Sequence, residues 1–173
     1  MPQIFSIGHS TRPIESFLSL LQAQGVRVVA DVRTIPRSRR NPQYSSDELC
    51  QSLTATDIRY VRIPELGGLR RRRPDSPNGG WHNPSFQGYA DHMDSEEFEC
   101  GLTYLLELAK AEGLVAMMCA EAVPWRCHRS LIADALDARG VTVQHIIGPG
   151  SPRPHTMTRF ARIDGHRVIY PPE

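Results

Sequence analysis

The stretch Cys119 to Arg129, "CAEAVPWRCHR", brings together two thiols, a carboxylate, an imidazole and two guanidinium groups. Cys127 falls at the expected amino end of a helix, beside His128 and between Arg126 and Arg129. Unpaired helix N–H groups and positive charge favour thiolate over thiol, so Cys127 is a candidate nucleophile or redox thiol and His128 a candidate proton carrier. The competing reading is a small, inert cysteine that packs the helix start. Glu121 follows an apolar run, where a partly shielded carboxylate can be tuned as general base or nucleophile, or can pair with an arginine. His9, after Gly8, could bind an anion, transfer protons near neutral pH, or hydrogen-bond a loop carbonyl.

A binding set accompanies these four catalytic candidates. Arg33, Arg37, Arg39 and Arg129 could hold an anion, since the planar guanidinium fork suits phosphate and carboxylate. Asp31 is expected to pair with one of these arginines. Tyr44 and Trp125 offer aromatic faces, as do Trp81 and Tyr89. The run Arg70 to Arg73 is a further phosphate-binding candidate or a solvated surface.

Other chemistries fit less well. Cys119, Cys127, His128 and His9 are zinc-ligand types, but seven residues separate the two cysteines and no second cysteine pair exists, so no metal is assigned. A Cys119–Cys127 disulfide is sterically conceivable and, in a reducing compartment, a regulatory device at most. "IGHSTR" is neither a dinucleotide fingerprint nor a P-loop, and Trp125 stands where a cysteine phosphatase loop starting at Cys119 needs its arginine. No cofactor is expected.

These residues need elements to place them. Ile4–Ile7 reads as a strand, followed by a helix with Ser10 or Thr11 as cap, Pro13 in its first turn and Gly25 as its stop. Val26–Val32 is β-branched and nearly continuous, as in a strand buried on both faces. Ser45 and Glu48 suggest a capping box for a helix ending near Thr54, and Ile58–Ile63 reads as a third strand. A long Gly-, Pro- and Arg-rich segment follows, then a helix capped by Asp94 and Glu97 and stopped by Gly113. "LVAMMC" is a fourth strand, Arg129–Arg139 belong to the next helix, and "VTVQHII" is a fifth strand. From 148 onward the chain reads as a peripheral tail with a hairpin turning at Asp164 and Gly165.

Strands alternating with helices imply a three-layer, Rossmann-like α/β fold: a mostly parallel sheet of about five strands with helices on both faces. The polar segments "GHS", "DVRTIPRSRR", "PELGGLRRRR" and "CAEAVPWRCHR" all leave carboxyl ends of strands, so topology alone gathers them at the ligand-binding edge.

The composition is that of a globular protein, with 173 residues, 40% hydrophobic and 23% charged, and the expected organisation is one domain over residues 1–173. No apolar run approaches the roughly 20 residues that span a bilayer and no secretory signal is evident, which makes a cytoplasmic location the expectation. Net charge is +1, but it is unevenly distributed. Arg33 to Arg73 holds ten arginines against four acids, whereas Asp91 to Glu121 holds eight acids against Lys110.

"IGHS", "DVRTIPRSRRNPQY", "IRYVRIPELGGLR", "GYADHM", "CAEAVPWRCHRSLIADAL" and "GVTVQHI" together resemble the bacterial and archaeal family known as domain of unknown function 488. The resemblance runs in order from Ile4 to about Ile147. It implies a Rossmann-like fold and supplies no reaction. The residues therefore suggest an enzyme that hydrolyses, or transfers a group of, a phosphate-bearing small molecule or nucleic acid. A non-enzymatic nucleic-acid-binding module and a thiol- or metal-based sensor are the alternatives.

Overall fold

The computed structural model describes residues 3–173. Its centre is a six-stranded sheet with the order β3-β2-β4-β1-β5-β6. Strands β1 (Gln3–Gly8), β2 (Val28–Asp31), β3 (Arg59–Arg62), β4 (Val115–Cys119) and β5 (Thr142–Ile146) are parallel, and β6 (Arg153–Pro154) adds antiparallel to β5. A separate hairpin joins β7 (Arg162–Asp164) to β8 (Arg167–Ile169), with its turn at Gly165. The short β6 has only two residues and could not be read from an alternating pattern.

Because β2 and β4 are buried at every position, both their faces must be covered. On one face, α1 (Ile14–Ala23) and α2 (Ser46–Thr54) bring Phe17, Leu21, Leu49 and Leu53 against Phe5, Val29, Ala116 and Met118. On the other, α3 (Pro84–His92), α4 (Glu96–Glu112) and α5 (Arg129–Asp137) bring Tyr89, Leu102, Leu105, Leu131 and Ile132 against Ile4, Val28, Val115 and Met117. This is the expected three-layer α/β arrangement.

Local capping differs from expectation at three helices. Helix α1 begins after Pro13 without a side-chain cap, while Ser10 turns the chain at φ 50° and donates its N–H to the Ala120 carbonyl. The Ser45–Glu48 capping box does not form, because Ser45 Oγ instead accepts the Ser38 N–H. Helix α4 is capped by Ser95, whose Oγ accepts the Phe98 N–H, rather than by Asp94. Helix α3 lies inside the segment expected to be irregular, with Asn83 capping Ser85 N–H and Pro84 in the first turn.

Strand β4 lies between β1 and β2, yet the helix that follows it lies on the opposite face from the helices that follow them. Helices α1 and α2 leave toward one face and α5 toward the other. Diverging connections open a crevice at the carboxyl ends of the strands, the ligand position in open α/β sheets.

Candidate active site

A cavity of about 320 Å³ occupies this crevice. His9 comes from the end of β1, Arg33, Thr34 and Arg37 from the loop after β2, Gly68 and Leu69 from the segment after β3, and Cys119, Glu121, Arg126, Cys127 and His128 from the β4–α5 connection. Two glycines let these segments meet. A Cβ at Gly8 would lie 1.5 Å from the Glu121 carbonyl oxygen, and one at Gly68 would lie 2.6 Å from His128 Nδ1. The β1–β4 ladder runs on into the site, since His9 N–H donates to Cys119 O at 2.9 Å.

His9 is buried and its ring stacks on Tyr44, with centroids 4.3 Å apart. Its Nδ1 donates to Ser10 O at 2.8 Å, which leaves Nε2 as a lone pair 3.4 Å from Arg33 Nη1. Burial is the largest influence on this imidazole and brings its pKa down to about 4, so it is neutral at pH 7. His128 is built alike. Nε2 donates to Val32 O at 2.8 Å, Nδ1 lies 3.5 Å from Cys127 Sγ, and burial brings its pKa down to about 4. Both histidines thus present an unprotonated nitrogen to the site.

Asp31 is fully buried behind the cavity. Arg33 Nε and Nη2 grip its two oxygens at 2.9 and 2.7 Å, and the Tyr60 hydroxyl donates to it at 2.5 Å. Every lone-pair direction is occupied, so the ion-pair role anticipated for Asp31 is the one its geometry supports. Burial and the Asp31 carboxylate push the Tyr60 hydroxyl well above its ordinary range. Arg37 and Arg126 are exposed at the cavity and pair with no carboxylate among the described residues. Glu121 lines the rim with its carboxylate exposed, next to the apolar side chains of Ile35 and Leu69.

Cys119 and Cys127 meet sulfur to sulfur as a disulfide, with Cα atoms 7.3 Å apart. Beneath them lies Arg129, fully buried and paired with no carboxylate among the described residues. Its Nε donates to Cys119 Sγ at 2.9 Å, Nη1 to Ser6 Oγ at 2.9 Å and Nη2 to Glu121 O at 2.7 Å. Burial lowers the guanidinium pKa to about 9, which still leaves it charged at neutral pH.

The charge of Arg129 is answered at a distance. Ser6 Oγ meets His145 Nδ1 at 2.5 Å, His145 Nε2 meets His155 Nδ1 at 2.9 Å, and His155 Nε2 meets Asp134 Oδ1 at 2.7 Å. Since Asp134 accepts and Arg129 donates, one set of proton positions satisfies the whole chain: each group donates toward Asp134. Tyr170 and the Thr158 N–H complete the Asp134 shell, at 2.7 and 3.0 Å. Burial brings the His145 pKa down to about 3, in keeping with a neutral ring here.

Of the residues singled out from the sequence, His9, Arg33, Arg37, Glu121, Cys127 and His128 line the one cavity. Tyr44 lies behind it, stacked on His9 with its hydroxyl donating to Arg12 O at 2.6 Å, and Arg129 lies below it. Arg39 is exposed outside the lining, and Trp125 faces a different cavity. The Arg70 to Arg73 run also stays outside: Arg70 pairs with Glu97 and backbone carbonyls, and Arg73 N–H is held by Asp91. Sequence reasoning weighed Cys119 only as a zinc-ligand type or disulfide partner, not as a catalytic or binding residue, and it left out Ser6, His145, His155 and Asp134. Cys119 ends a strand that alternates faces, and parity with the inward Met117 was its available signal.

Fold and site together define an α/β protein with a crevice at a topological switch point, lined by apolar surface and a few charged and ring nitrogen groups. The chain belongs to the family described as domain of unknown function DUF488, whose profile matches residues 13–136. No curated protein and no solved structure matches it. No helix among the described residues is long and apolar enough to cross a membrane, and no cluster of His, Cys, Asp and Glu suited to a metal ion occurs among them.

Proposed function

We propose that this protein is an enzyme that binds a phosphate-bearing substrate and acts on it by hydrolysis or group transfer. The observation that supports this most is the composition of one cavity: two unpaired arginines at the rim, two neutral imidazoles and the paired cysteines Cys119 and Cys127, which reduction converts to thiols. Arg37 and Arg126 hold the anion, assisted by the outer edge of Arg33, while Ile35 and Leu69 shelter the organic part. In the reduced protein Cys127 is the nucleophile. Its sulfur bonds to the transferred group as its proton passes to the lone pair of His128 Nδ1. The leaving oxygen departs with the bonding pair and takes that proton back. Glu121 then takes a proton from the water that attacks the group, the sulfur leaves with the bonding pair, and His9 shuttles that proton back to the sulfur.

A second reading, a thiol-based redox sensor, is favoured by one specific observation, the pairing of Cys119 with Cys127. The two readings are compatible, because the disulfide caps the nucleophile. The test is a turnover screen of nucleotides and oligonucleotides with reduced and oxidised protein. Turnover by the reduced form that is abolished in Cys127→Ser supports the enzyme. Turnover unchanged in both Cys127→Ser and Glu121→Gln removes it.

A further inference from the structure

A second cavity, of about 340 Å³, lies across the β4–α5 connection from the first. Glu121, Arg126 and Cys127 face one side of this connection, and Pro124, Trp125 and Ser130 face the other. The connection is therefore a partition with a cavity on each side.

The second cavity has a definite chemistry. The Trp125 indole is 57% exposed, and the Arg153 guanidinium carbon stands 5.9 Å from its ring centroid. Trp81 adds a second aromatic ring to the cavity wall. His145 and His155 also line the cavity, but their ring nitrogens are spent in the chain to Asp134, so they offer faces and edges only. Among the described residues, no Asp or Glu lines this cavity.

An aromatic face, a guanidinium beside it and no carboxylate suit a flat heterocycle with an attached anion. The volume is at the small end of ligand cavities, enough for one nucleobase. Arg126 and Arg153 place cations on either side of Trp125. We propose that this cavity is a base-binding subsite for single-stranded nucleic acid, whose phosphate backbone crosses the β4–α5 connection into the first cavity. This rests on the function proposed above and narrows its substrate class. A mononucleotide occupies one cavity only. A duplex keeps its bases stacked inside and cannot present one to Trp125.

The test uses the reduced full chain, with a short mixed-sequence oligonucleotide, AMP and inorganic pyrophosphate as probes. Oligonucleotide affinity is read by fluorescence anisotropy, and occupancy of the first cavity by protection of Cys119 and Cys127 from alkylation. The oligonucleotide is expected to bind more tightly than AMP and to quench indole emission. Trp125→Ala and Arg153→Gln should each weaken it about tenfold, the range of one lost base stack, while Trp125→Phe restores binding and pyrophosphate protection is unchanged in all three. Undiminished oligonucleotide binding in both weakened variants overturns the subsite. An oligonucleotide that binds no better than AMP, while pyrophosphate still protects, overturns it and leaves the first cavity's function standing. Failure of every probe to protect the thiols overturns both.

Discussion

Arg129 donates its Nε–H to Cys119 Sγ at 2.9 Å from a position without solvent contact. A buried guanidinium with no adjacent carboxylate favours negative charge on the sulfur it touches. In the reduced protein, Arg129→Met is expected to slow alkylation of Cys119 at pH 7 about tenfold or more, since each 1.4 kcal/mol of lost charge stabilisation is a factor of ten. Peptide mapping after timed labelling gives the rate. An unchanged rate would mean that Arg129 only packs the helix start.

The relay behind Arg129 gives an opposite sign. Asp134→Asn keeps an acceptor for His155 but removes the distant counter-charge of Arg129. Cys119 alkylation is then expected to quicken, and likewise in Ser6→Ala, which cuts the same relay at Arg129 Nη1. Two slowed variants would indicate general loosening rather than charge balance.

Stability should depend on pH through three buried neutral imidazoles. The His9 and His128 pKa values are brought down to about 4 and that of His145 to about 3, in each case chiefly by burial. Below the unfolded value near 6.5, the unfolded chain binds protons that the folded chain refuses, so stability falls as pH falls toward 4. The slope approaches about 1.4 kcal/mol per pH unit for each histidine. Urea midpoints at pH 7.5, 6 and 5 measure it, and His9→Gln should flatten the slope. A flat profile in the parent protein would show that these rings are accessible to protonation.

Breaking the Asp31–Arg33 pair leaves a buried, unsatisfied guanidinium. Asp31→Asn is expected to cost about 3–5 kcal/mol of stability, and Tyr60→Phe about 1 kcal/mol. Denaturant titration distinguishes the two, and equal small losses would place water around the pair.

Much of this site could be read in advance from topology. Four polar segments at the carboxyl ends of strands had to share an edge, and His9, Arg33, Arg37, Glu121, Cys127 and His128 do share it. What sequence spacing does not carry is contact between residues far apart in the chain. Ser6 and His145 are 139 positions apart, and His145 reads there simply as a polar residue in a β-branched strand. Helix α3 was obscured by Pro84 and Gly88 in a segment rich in turn residues, although Asn83 before Pro84 carried a start signal. The arginine clusters separated for a local reason: Arg37 pairs with no acid among the described residues, whereas Arg70 meets Glu97 on α4.

The central claim is that an anion site and a reactive thiol pair share one cavity. Alkylation of Cys119 and Cys127 in the reduced protein, timed with and without saturating pyrophosphate or AMP, measures this most directly. Protection is expected in the parent protein and should be lost in the double variant Arg37→Gln, Arg126→Gln. Equal labelling rates with and without both probes would contradict it.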